Sequence, residues 1–340
     1  MSEVTEESRV QPDSVGAFES LTLFKVKFDA AESTRSKELF GNGRMQVKVQ
    51  VLVAGADVNG NAVHVPSEVM DSIELVHYLS GQPLSNGWRA SDEQGRFTLE
   101  SRFSTNDVSE SYDDDTVHPQ VRTFWVSSSS AGETQVGARL TANQQVIRSN
   151  GSTLYSAHDS SVTLSAKEPS AYSIESFRWQ QVRRGNEEPG NRIWNYYLGL
   201  YPQGGQQIKL VDWIFQGERG SYIFAAGNKI NEWKTNSLQG TLLLPELKNF
   251  LVVLPYAGNS IAYTFYSDAI TTKNKSYSVT VNDRDGELTA VQALSEYSSI
   301  EPKSRNGEIF HFRAIDQYGT EHKLAIHTDF ETRNFSLARG

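Results

Sequence analysis

The chain has 340 residues, of which 38% are hydrophobic and 11% aromatic, with no cysteine and a formal net charge of -9. That much apolar material can fill real cores, so wholesale disorder is excluded. The acidic balance without a basic field speaks against nucleic acid as a partner, and the missing cysteine excludes disulfides, thiolate metal sites and cysteine nucleophiles.

Residues 1–19 read as a flexible arm, polar and acidic with few apolar anchors, and dispensable for folding. Met1 to Gly16 lacks the basic and apolar regions of a secretory signal. Synthesis in the cytoplasm without a classical signal peptide is therefore expected, with action outside the cell or within a particle. No apolar run reaches the length of a membrane helix.

The first predicted strand is Leu21 to Phe28, where Phe24, Val26 and Phe28 alternate with Leu23, Lys25 and Lys27. A second holds Val47, Val49, Val51 and Val53 on one face. Asp57-Val58-Asn59-Gly60 then turns the chain back into Ala62 to Val65. Asp at the first turn position bonds its own backbone, and Gly at the fourth supplies a positive φ. The same Asp-x-x-Gly spacing recurs at Asp92 to Gly95, Asp283 to Gly286 and Asp316 to Gly319, and predicts four hairpins. Asp13 to Gly16 repeats it without a preceding strand.

Pro66, Ser67 and Glu68 open a single helical turn before a strand over 72–79 that sets Ile73, Leu75 and Leu79 on one face. A further strand runs from Arg96 to Phe103. Ser109 to Thr116 is the best linker. From His118 to Tyr172 serine, threonine and small residues dominate. Residues 175–235 instead gather Trp179, Trp194, Trp213 and Trp233 with several tyrosines and phenylalanines. The most apolar span is Thr241 to Leu254, and Leu288 to Leu294 is ambiguous between strand and short helix.

The residues Val51 to Val63 resemble the central hairpin of bacterial immunoglobulin-like modules of the invasin and intimin type, and Tyr277 to Gly286 and Phe312 to Gly319 echo it. This resemblance covers about a tenth of the chain. It implies stacked sandwiches that hold a binding tip away from a surface.

The expected fold is all-β: two or more antiparallel, Ig-like β-sandwich modules around a larger aromatic-rich middle. Residues 20–112 form the first module and 273–340 a small final unit. Between them, 113–272 runs from Ser/Thr-rich to aromatic-rich, with a break near 175.

Asp113, Asp114 and Asp115 offer carboxylates to a metal, but the alternating calcium-loop spacing is missing and a solvated loop explains them. His322 and His327 fall on opposite faces of one strand, with His311 on a neighbour, which is poor geometry for a metal. No motif of a nucleophile, phosphate loop or zinc protease stands in a usable context. A non-catalytic protein without cofactors is therefore expected, an unrecognised hydrolase being the third choice.

Adjacent Tyr196 and Tyr197 point to opposite faces of a strand. An exposed ring of one, with Trp194 or Trp213, is the candidate ligand-binding patch for a protein or a glycan on a surface. The expected role is a binding or structural module of a phage-like or tail-like particle or an adhesin, compatible with a homo-oligomer. The alternative is a soluble β-pore-forming toxin whose Ser/Thr-rich hairpin within 126–166 enters a membrane.

Overall fold

The computed structural model describes residues 17–29, 33–98, 119–151, 158–231, 235–256, 273–297 and 304–340. The described chain is all-β, with several antiparallel sheets, one short α-helix and one 3-10 turn at Ile174–Ser176. It divides into two compact units, Met1–Pro169 and Ser170–Gly340.

The first unit contains β1 (Ser20–Lys27), β2 (Ser36–Phe40), β3 (Val47–Ala56), β4 (Ala62–Val63), α1 (Ser67–Asp71), β5 (Glu74–His77), β6 (Trp88–Ser91), β7 (Gln120–Ser128), β8 (Gly132–Ala142), β9 (Gln145–Arg148) and β10 (Val162–Lys167). One five-stranded sheet runs β1-β3-β7-β6 with β4 beside β3, the other β2-β10-β8-β5 with β9 beside β8. Pairing is antiparallel except between β10 and β2. The expected alternation holds: Val47, Val49, Val51 and Val53 are fully buried, as are Phe24, Val26 and Phe28. The Ser160 hydroxyl accepts the Val26 N–H at 3.0 Å and donates to the Val26 carbonyl at 3.2 Å, so one side chain ties β1 to the start of β10. Leu79 does not share the face of Ile73 and Leu75. β5 ends at His77, the chain turns at Gly81, and Leu79 is left exposed.

The expected boundary at 112 is replaced by one at 169, because β7 pairs with β3 and β8 pairs with β5. Hydrogen-bonded ladders carry the Ser/Thr-rich stretch into the first unit. The acidic linker and the far end of the Arg96 to Phe103 strand lie outside the described residues.

The second unit contains β11 (Phe177–Arg183), β12 (Asn191–Leu200), β13 (Leu210–Ile214), β14 (Tyr222–Asn231), β15 (Thr235–Leu242), β16 (Asn249–Tyr256), β17 (Lys273–Thr280), β18 (Leu288–Ser295), β19 (Ser304–Asn306), β20 (Ile309–Asp316), β21 (Glu321–Asp329) and β22 (Asn334–Arg339). A six-stranded sheet runs β11-β12-β18-β15-β14-β19, a four-stranded sheet β13-β20-β21-β22, and β16 pairs with β17. Alternate residues of the six-stranded sheet serve two cores. Tyr196, Leu198, Leu200, Leu288 and Ala290 join the four-stranded sheet's Trp213, Phe310, Phe312 and Ile326. Ile193, Val291 and Ala293 join Val252, Leu254 and Val279 of the β16–β17 pair. The six-stranded sheet is thus the middle of three layers. Every residue of β18 is buried, which is why its sequence shows no alternation. The boundary expected at 272 does not divide this unit, because β18 pairs with β12 and β15.

Of the four Asp-x-x-Gly quartets, two form the expected turn. Asp57 Oδ1 accepts the amides of Asn59 and Asn61 at 2.8 and 2.9 Å, and Gly60 has φ +85°. Asp316 Oδ1 accepts those of Tyr318 and Thr320 at 2.8 and 3.0 Å, and Gly319 has φ +80°. Each turn thus recurs once per unit with the same hydrogen bonds. In the Asp57 copy the Asn61 side chain, and then its amide, hold the Asp57 carboxyl below the usual range. The other quartets are not hairpins. Asp283 accepts the Tyr197 hydroxyl, and its loop carries the chain from one layer to the next. Asp92 is bound by Arg122, and the Gly95 amide by Gln46.

Candidate functional site

From sequence, one of Tyr196 and Tyr197 is expected on the surface beside Trp194 or Trp213. Instead Tyr196 and Tyr197 are 3% and 2% exposed, and Trp213 is fully buried. The two tyrosines do point to opposite faces of β12, but a layer covers each face. Tyr196 packs against Trp179 and Phe335, with ring centroids at 5.0 and 5.3 Å, and burial pushes its phenol up to about 12. The Tyr197 hydroxyl accepts from Asn195 at 3.1 Å and donates to Asp283 at 2.8 Å, beneath the Arg284 guanidinium at 3.8 Å from its ring. Burial raises that phenol too. Trp213 donates its indole N–H to the Leu243 carbonyl at 3.0 Å. Trp194, half-buried, lies under the Arg183 guanidinium. Tyr196, Tyr197 and Trp213 are thus buried, and Trp194 is half-buried.

The weak metal candidates Asp113, Asp114 and Asp115 lie outside the described residues. Among the described residues no group of three or more His, Asp or Glu is placed to hold a metal. His322 is buried against Asp316, whereas His311 is exposed. Within the described part of the stretch 126–166, proposed from sequence as a membrane hairpin, Val136, Ala138, Leu140 and Ala142 of β8 are buried, and Asn143 and Gln144 turn the chain into β9.

The aromatic cluster does reach solvent, at a different place. The ring of Trp213 meets those of Tyr222 and Phe310 edge-on at 5.8 and 6.4 Å. Phe215 lies 4.9 Å from Tyr222 and 4.8 Å from Phe310. Beyond Phe215 and Tyr222, both half-buried, an open cleft of about 540 Å³ begins. Ile223 and Ile309 border it at 60% and 52% exposure, and Gln216, Asn306 and His311 complete its polar lining. Among the described residues no Asp, Glu, Lys or Arg lines it. The volume lies within the roughly 300–1,000 Å³ of small-ligand sites.

Two backbone devices open this cleft. Phe215 and Glu218 exchange both backbone hydrogen bonds at 3.0 Å across Gln216 and Gly217, whose φ values are +51° and +88°. That is a type I′ hairpin turn, and Gln is an unusual residue to hold its first central position. At the opposite wall β19 pairs with β14, then Gly307, at φ +85°, hands the chain to β20 of the other sheet. A Cβ on Gly307 would lie 1.9 Å from the Phe224 carbonyl oxygen, so only glycine lets the corner close on β14.

Chemically the cleft offers ring faces and neutral hydrogen-bonding groups. The Gln216, Asn306 and His311 side chains and the Tyr222 hydroxyl make no hydrogen bond to any described residue. A cleft of about 640 Å³ in the first unit is different in kind, since it is lined by charged residues, among them the ion pairs of Arg122 with Asp71 and Asp92 and of Arg139 with Glu74. The dipeptide Gln216-Gly217, after the apolar run Trp213 to Phe215, was the one local sequence signal for the aromatic cleft. Ile223 and Ile309 carried none, because their exposure depends on where two sheets part. Comparison with known families gives no matching family model, and comparison with curated proteins gives no matching relative.

Proposed function

We propose that the protein is a non-catalytic binding module that recognises a glycan or protein on a surface through the cleft between β14 and β20. One observation carries this reading: the buried aromatic cluster opens through half-buried Phe215 and Tyr222 onto a cleft that, among the described residues, has no Asp, Glu, Lys or Arg in its lining and whose side-chain polar groups make no hydrogen bond to any described residue. Half-exposed aromatics with a polar tip are the residues that anchor ligands and partners most often. The strained Gln216 adds support, since backbone strain is retained where the side chain is needed.

The first unit fits the role of an Ig-like sandwich spacer, in keeping with its similarity to invasin and intimin type hairpins, and the second carries the recognition cleft. Action outside the cell or in a particle, as an adhesin or tail-like component, belongs to the same proposal. Ile223→Asp and Ile309→Asp test it, because both side chains are already exposed and the fold tolerates them. Each is expected to keep the parent melting temperature and to lose attachment on a glycan and cell-surface panel. Attachment unchanged in both variants refutes the cleft as the recognition site.

A further inference from the structure

We infer that the occupant of this cleft is a neutral saccharide; the inference rests on the recognition reading and narrows it to one ligand class. Three features of the lining select it. Half-buried Phe215, backed by the buried Phe310 ring at 4.8 Å and met by the half-buried Tyr222 ring at 4.9 Å, gives an apolar floor for the C–H face of a pyranose. Around that floor stand the carboxamides of Gln216 and Asn306, the His311 imidazole and the Tyr222 hydroxyl, all able to donate and accept. Neighbouring sugar hydroxyls need that alternation of donors and acceptors.

The third feature is charge. Among the described lining residues a uronate, a sulfated sugar or an acidic peptide would find no Lys or Arg for its charge, and a basic peptide no carboxylate. A lipid chain would instead strip water from the two amides and offer nothing in return. A second copy of this chain is a poor occupant, because stable interfaces bury about 1,200–2,000 Å² and two exposed isoleucines at one cleft fall far short.

The test uses the full chain. Neutral oligomers of hexoses and N-acetylhexosamines are titrated by ligand-observed NMR and intrinsic fluorescence, beside uronate and sulfated oligomers of the same length. A neutral oligomer is expected to saturate and its acidic counterpart to bind at least about tenfold more weakly. Asn306→Ala and Gln216→Gly, both on exposed side chains, are expected to lower neutral-sugar affinity about tenfold or more without lowering the melting temperature. Binding that survives both variants, or that favours the acidic sugar, overturns the inference. If no sugar binds yet Ile223→Asp and Ile309→Asp still abolish attachment, the saccharide is wrong and a protein partner takes its place. If those variants also leave attachment intact, the recognition reading falls with it.

Discussion

His322 Nε2 lies 3.0 Å from Asp316 Oδ2, and both side chains are 3% exposed. The other oxygen of Asp316 holds the turn that joins β20 to β21. One carboxylate therefore fixes a hairpin and anchors a core histidine, whose ring packs at 5.7 Å from Tyr172 and 5.5 Å from Phe177.

His322→Ala is predicted to lower stability by about 2–4 kcal/mol, through an orphaned buried oxygen and the cavity left beside Phe177. In the matching turn of the first unit the second oxygen of Asp57 is held by the exposed Asn61 side chain instead. Asn61→Ala should therefore cost much less. Urea denaturation of the two variants measures the difference, and equal losses would contradict this account.

Gly60 and Gly307 share a φ of +85°, yet their replacement by alanine should differ sharply. Nothing lies within 4 Å of a Cβ at Gly60, so only the backbone penalty of about 1–2 kcal/mol applies. At Gly307 the Phe224 carbonyl must move as well, which adds about 1–3 kcal/mol of overpacking and opens the β19–β20 corner. Thermal melts of Gly60→Ala and Gly307→Ala are expected to rank in that order.

Gln216→Gly is predicted to stabilise the fold. Leaving the left-handed region to glycine removes about 1–2 kcal/mol of strain, against about 0.4–1 kcal/mol for the freer unfolded chain. The net gain is roughly 0.5 kcal/mol, read by chemical denaturation. A loss would mean that the side chain holds the turn rather than serving the cleft.

Alkaline pH should unfold the second unit through its buried phenols. An unfolded tyrosine ionises near pH 10, whereas Tyr196 holds its proton to about 12 and Tyr197 is shifted the same way. Below about pH 10 both states are protonated and this contribution to stability is fully present. Between about pH 10 and 12 the unfolded chain has lost protons that the fold retains, so stability falls as pH rises. Phenolate absorbance followed with circular dichroism should show the last tyrosines ionising together with unfolding, and Tyr196→Phe should shallow the fall.

Local order was written plainly in the sequence where one face of a strand meets solvent. The valines of β3, the Phe24 to Phe28 alternation and the turns at Asp57 and Asp316 all follow from period two and turn chemistry. Those rules were silent wherever a third layer intervenes. Tyr196 and Tyr197 obey the alternation and are both buried, because β16 and β17 return to cover the second face of β12. The cleft was illegible for a related reason. Phe215, Ile223 and Ile309 come from three separate strand ends, and only the parting of two sheets brings them to one rim.

The middle position of β12 also sets an order of events during synthesis. Leu198 pairs with Leu288, ninety residues later, and the β16–β17 cover is likewise made after β12. At about 5–20 residues per second the ribosome takes on the order of 5–20 s to supply that partner. Throughout that interval β12 presents two apolar faces and an unpaired edge, the combination that invites association between nascent chains. Chains halted before β18 should therefore collect in inclusion bodies, while chains that extend through Arg339, and so add the β20–β22 cover of the other face, remain in solution.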